Sequence, residues 1–186
     1  MRSRSRALAL ALGVAAVAAG CGGGSSGVSA AAYVRSVCNA IYPFERNVVV
    51  RESELALSLS AIKTPSEGKS VLQAYITGVA KDTDTALAKL ESSGSPDVSG
   101  GKQISSAIVQ AFTRVGTAMH AALQRADALP TTSQAAFTQG VRSLVASLNS
   151  IRGISQQLQS SPLKSPELVK AAGKEPACKN LSGLRG

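Results

Sequence analysis

His120 is the sole histidine of a 186-residue chain, so proton transfer near neutral pH has one ordinary candidate. A hydrolase built on it needs a nucleophile beside it and an acid to orient it, and no Gly-x-Ser-x-Gly or comparable signature occurs. The neighbouring Met119 adds a second copper-ligand type, but adjacent positions on a helix diverge by about 100° and do not close on one ion. His120 is therefore expected in solvent or at the edge of a core. Carboxylates come in pairs, Glu52 with Glu54 and Asp82 with Asp84. Residues two apart on a helix point to different sides, and the inward Glu-x-x-His of a di-metal bundle is missing. These pairs read as solvated faces. Gly22-Gly23-Gly24 is followed by neither Lys-Ser/Thr nor a strand-to-helix context, so it is no phosphate loop. Tyr33, Tyr42 and Tyr75 line a groove only if they converge; the plainer expectation is tyrosine at core edges with wet hydroxyls. The expectation is a protein with no catalytic residues, no metal ligands and no cofactor, and not an enzyme.

Cys21 is different. Met1 to Arg6 carries Arg2, Arg4 and Arg6, and Ala7 to Ala19 is an unbroken run of Ala, Leu, Val and Gly. A basic start followed by a short apolar run is a secretory signal. As a helix that run spans about 20 Å, short of the ~30 Å hydrocarbon core of a bilayer. The junction Ala18-Ala19-Gly20-Cys21 resembles the lipobox of bacterial lipoproteins, with Ala18 where Leu is usual. The resemblance implies that the Cys21 thiol receives a diacylglycerol and that cleavage leaves it as the first residue. Residues 1–20 are then a signal peptide. Gly22 to Gly27, GGGSSG, is a flexible tether. Its reach is at most roughly 20 Å. The expected organisation is signal peptide 1–20, lipidated cysteine and tether 21–29, and helical domain 30–186.

With Cys21 committed to lipid, Cys38 and Cys178 remain. Export places them in an oxidising compartment, where an isolated pair usually bonds. They stand near the two ends of the mature domain, and a bridge between them closes a loop worth up to ~5 kcal/mol in the chain-entropy account. No CxxC motif is present, and nothing in the sequence marks a reactive thiol.

Hydrophobic residues make up 44% of the chain, aromatics only 3%, and Trp is absent. Such a core is built from Ala, Val, Leu and Ile, whose small side chains let helices approach closely. Of the formal +9, three charges (Arg2, Arg4, Arg6) lie in the segment expected to be removed, leaving +6. The basic residues are scattered, with no Lys/Arg block or aromatic platform for nucleic acid. A mildly basic surface tolerates anionic lipid or cell-wall polymer nearby.

The elements are helices. Val34, Val37, Ile41, Phe44, Val48, Leu55, Leu59 and Ile62 make one apolar stripe, which Pro43 is expected to kink or break near Asn39 to Tyr42. Thr64-Pro65-Ser66-Glu67 is a capping box with Pro at the first helical position. Leu72, Ile76, Val79, Thr83, Leu87 and Leu90 follow on one face, and SSGSPDVSGG from Ser92 to Gly101 is a loop. Ile104, Ile108, Phe112, Val115, Met119, Ala122, Ala126 and Leu129 form the third stripe, which stops at Pro130. Thr131-Thr132-Ser133 offers caps, with Gln134 as box partner. Phe137, Val141, Leu144, Leu148, Ile151, Ile154 and Leu158 form the fourth stripe, ending near Ser160-Ser161-Pro162. Ser165-Pro166-Glu167 opens a short fifth helix leading to Cys178. Four such runs predict an all-α, antiparallel four-helix bundle, with a kinked first helix and a disulfide-stapled C-terminal helix.

The lipobox, the Gly/Ser tether, Tyr33-x-x-x-x-Cys38 and the late Pro176-Ala177-Cys178 together look like the small alanine-rich lipoproteins of actinobacterial type. The resemblance spans the whole chain, with the lipobox as its specific element. It implies an address, lipid-anchored on the extracytoplasmic face of the cell membrane, and a helical fold, but no activity. The functional expectation is a non-catalytic interaction module for an envelope protein or cell-wall component. The alternative is a carrier or sensor of a small apolar ligand or lipid held between the helices.

Overall fold

The computed structural model describes residues 27–160, 165–179 and 181, with the backbone alone for 149–160. The signal segment, Cys21 and tether residues 22–26 lie outside the described residues. So do the side chains of Ile151, Ile154 and Leu158 and the turn at Ser161-Pro162. The described residues are all-helical: α1 (Ala30–Ala61), α2 (Pro65–Glu91), α3 (Gly101–Asp127), α4 (Gln134–Ser160), α5 (Pro166–Lys174) and α6 (Pro176–Lys179). Among the described residues the only β-type pairing is an isolated parallel bridge between Val28 and Pro96.

Local sequence explains where the helices begin. Ser29 caps α1 through its Oγ, which accepts from the Ala32 N–H at 3.3 Å. The capping box of α2 is complete: Thr64 Oγ1 accepts from the Glu67 N–H, and the Glu67 carboxylate accepts from the N–H groups of Lys63 and Thr64. Those two backbone donors hold the Glu67 pKa below its ordinary value. α3 starts after Gly100, whose φ of 72° is a left-handed conformation that suits glycine. At the next residue, a Cβ on Gly101 would sit 1.9 Å from the Pro96 carbonyl oxygen. α4 is capped by Ser133, whose Oγ accepts from the Ala136 N–H at 3.2 Å. Gln134 is thus the first residue of the helix, two positions ahead of the one a capping box uses. At α5, the Ser165 hydroxyl bonds the Glu167 carboxylate.

Consecutive long helices pack on one another, α1 on α2, α2 on α3 and α3 on α4, while α5 and α6 lie on α1. Polar pairs set the directions. Ser93 at the end of α2 bonds Ser36 near the start of α1 at 2.9 Å, and Arg51 meets Asp82 further along, so the two helices run oppositely. Lys69 at the start of α2 donates to the Asp127 carbonyl at 2.6 Å, and Gln73 donates to the Asp127 carboxylate at 2.7 Å, so α3 runs opposite to α2.

The interior divides into two cores. A proximal core gathers Tyr33, Val34, Cys38 and Ala40 of α1, Ala86 and Leu90 of α2, Ile104, Ile108 and Phe112 of α3, with Leu168, Cys178 and Leu181. A distal core gathers Ile76, Val79 and Ala80 of α2, Met119, Ala122 and Ala126 of α3, with Leu129 and Leu144. The expected stripes of α2 and α3 run through both. Phe137, Val141 and Leu148 of α4 pack against the distal core. Between the cores sits Thr83, fully buried, its hydroxyl satisfied by the Val79 carbonyl at 2.8 Å.

Helix α1 bears on two expectations, the first being a kink or break at Pro43. It continues through Pro43 without a break. Proline has no N–H to offer the Asn39 carbonyl, but both flanks are held. Cys38 and Ala40 are buried on one side, and the Phe44 ring meets Phe112 edge-on at 5.5 Å on the other. Second, the stripe leaves the core before the helix ends. The fully buried residues of α1 are Tyr33, Val34, Cys38 and Ala40, all before Pro43, while Leu59, placed by its spacing on the core side, is exposed. Past Val48 the helix rests chiefly on α2, so correct spacing finds little core to enter.

Candidate functional site

Cys38 and Cys178 are joined, with Cα atoms 5.2 Å apart across a sequence separation of 140. Both are buried in the proximal core. The bridge fastens α6 to the first third of α1, and Arg35 adds an ion pair to Glu175 at 3.0 Å. Cys21 lies outside the described residues. The segment expected to end the tether does not hang free of the domain: the Val28 N–H donates to the Ser95 carbonyl at 2.8 Å, and the Asp97 N–H donates to the Val28 carbonyl at 2.7 Å. The chain thus enters the fold clipped to the α2–α3 loop, at the disulfide end.

The candidate chemical groups are dispersed. Met119 is buried in the distal core while His120 is exposed, its Nε2 3.2 Å from Asp84 Oδ1 on α2. Asp82 and Asp84 point to different helices. Asp84 faces α3, whereas Asp82 faces α1, taking Arg51 Nε at 2.7 Å and Asn47 Nδ2 at 3.1 Å. Asp82 is therefore not on a solvated face, as its spacing suggested; it is half-buried in an interhelical contact. The hydrogen bond to Asp82 raises the Arg51 pKa. Glu52 and Glu54 are both exposed. The tyrosines do not converge, since Tyr33 and Tyr42 belong to the proximal core and Tyr75 to the distal one. Tyr33 is buried rather than wet, and burial pushes its pKa up to about 12. Among the described residues no group of three or more His, Cys, Asp and Glu stands close enough to hold a metal ion.

Exposed apolar side chains are concentrated elsewhere. Among the described residues, four of the seven large ones lie on the distal half of α1: Val49 (61% exposed), Val50 (49%), Leu57 (74%) and Leu59. Val50 and Leu57, seven positions apart, share a helix face. That face is opposite the Val34–Ile41–Val48 stripe. A sign was present in the sequence: Val48-Val49-Val50 are consecutive, and three consecutive helical residues span about 200°, so they do not all face one core. Under the same part of α1 lies a hollow of about 200 Å³, bounded by Arg51, Glu54, Leu55 and Ser58 of α1 and by Val71, Ala74 and Tyr75 of α2. No helix of the described residues is long and apolar enough to cross a membrane. Comparison of the chain with family models, with curated proteins and with solved structures finds no match in any of the three.

Proposed function

We propose that this chain is an exported lipoprotein, cut before Cys21 and held by lipid on that cysteine to the extracytoplasmic face of the membrane. Its helical domain acts as a non-catalytic interaction module for an envelope protein or cell-wall component. In this reading α4 returns along α3 to complete an antiparallel four-helix bundle. The observation that carries the functional part is the apolar face of distal α1, with Val49, Val50 and Leu57 in solvent. Clustered exposed apolar residues are a common mark of a contact surface. The face also lies far from the point of attachment. From Ala30, where the chain enters, to Leu57 is about 40 Å of helix at 1.5 Å per residue.

The test has two arms. Cys21→Ser is expected to abolish acyl labelling and release the protein from membranes; retained lipid label on that variant overturns the anchor. In intact cells, chemical crosslinking of the wild type is expected to trap discrete adducts that vanish in Val50→Glu/Leu57→Glu while the protein stays folded and anchored. Adducts unaffected by those substitutions overturn the docking face.

The hollow beneath α1 supports a second reading, a carrier of a small apolar ligand or lipid, because Leu55, Val71, Ala74 and the Tyr75 ring line part of it. A stoichiometric lipid recovered from purified protein by organic extraction and mass spectrometry would favour that reading over the module.

A further inference from the structure

We propose that the distal half of α1 is a latched arm, pivoting at Pro43 and held on α2 by Asn47 and Arg51 at Asp82, which opens to uncover the apolar wall beneath it. The proposal depends neither on the lipid anchor nor on the identity of a partner.

Each part of the device has its own observation. The pivot is Pro43, where the helix lacks one backbone hydrogen bond and bends more readily than elsewhere. On its proximal side α1 is fixed by four buried residues and by the bridge to Cys178. On its distal side α1 has no fully buried residue. Phe44 stays against Phe112 because it adjoins the pivot and moves little.

The latch is a single carboxylate. Asp82 takes Asn47 on one oxygen and Arg51 on the other. Arg51 has a seat prepared for it: a Cβ on Gly78 would fall 2.3 Å from the guanidinium, so only glycine leaves the head group in place. Beyond the latch a half-open surface groove of about 200 Å³ runs between the arm and α2, with Glu54, Ser58 and Ala74 of its lining in solvent. Along that groove the arm has solvent where a packed neighbour would give dispersion contacts. Opening exposes Val48, Leu55 and Tyr75 on the side of α1 opposite Val50 and Leu57, which are already in solvent, and so adds a second apolar surface to the arm.

Two substitutions release the latch by different routes. Asp82→Asn removes the charge. Gly78→Ala keeps both partners but pushes the guanidinium out of its seat. Because alanine is the better helix former, it does not weaken α2 by propensity. Hydroxyl-radical footprinting of the full chain, read by mass spectrometry, follows side-chain exposure directly. In both variants oxidation of Leu55 and Tyr75 is expected to rise about twofold to threefold, as half-buried side chains become exposed, while Tyr33 in the proximal core stays at its wild-type rate. Unchanged Leu55 and Tyr75 in both variants overturns the arm. So does a rise in one variant alone, since both break the same contact. A parallel rise at Tyr33 also overturns it, because that reports general loosening.

Discussion

At the end where the chain enters, α1 buries Tyr33, Val34, Cys38 and Ala40 and is bonded covalently to α6. At the other end the same helix buries no residue fully and leaves Val49, Val50 and Leu57 in solvent. Both halves have apolar residues at helical spacing, so periodicity does not separate them. What separates them is the company each half keeps. The proximal half is enclosed by α2, α3, α5 and α6, and the distal half leans on α2. A stripe becomes core only where other elements close over it.

The largest expected effect tests the covalent side of that contrast. Cys38→Ser/Cys178→Ser is expected to lower stability by up to about 5 kcal/mol, the chain-entropy value for so long a loop, measured by urea unfolding. A loss below about 1 kcal/mol would mean that the proximal end stands on packing alone.

Next comes a paired measurement. Ile76→Ala, in the distal core but not on α1, is expected to cost about 2–5 kcal/mol. Leu57→Ala, on the exposed arm, is expected to change stability by no more than about 0.5 kcal/mol. A large cost at Leu57 would place that side chain in a packed interface and erase the contrast.

The smallest effect is a titration. Tyr33 has a pKa raised by burial to about 12, so the folded state favours its neutral form. Its contribution to stability is complete below the unfolded value of 10.0 and is lost as pH rises through about 12. Tyr75 is raised as well, by burial and then by the charge of Glu52. In an absorbance titration of the folded protein, Tyr33→Phe is expected to remove the step near pH 12. Survival of that step in the variant would locate the most protected hydroxyl away from the clamped end.

Much of this was legible in the chain. The faces of α2 and α3 follow from spacing because each is covered on its apolar side, from Ile76 to Leu90 and from Ile104 to Ala126. The Thr64 capping box is local chemistry between neighbours and needs no tertiary context. The Cys38–Cys178 bridge follows from counting thiols once Cys21 is set aside. The features that escaped all depend on a second element. Spacing alone cannot show that Asp82 faces Arg51, that Gly78 seats its guanidinium, or that the loop at Ser95–Asp97 receives Val28. Nor does it show that α1 outruns its own core, which demoted Leu59 from interior to surface.

The clip at Val28 has a mechanical consequence. A pull arriving from the N-terminal side first loads two backbone hydrogen bonds, those to Ser95 and Asp97, before it reaches helix. If they part, unwinding of α1 meets Cys38 within nine residues of Ser29. There the tension divides between α1 itself and the C-terminal segment joined through Cys178. Residues 28–37 are thus the stretch that yields before the bridge, and the distal half of α1 lies beyond it.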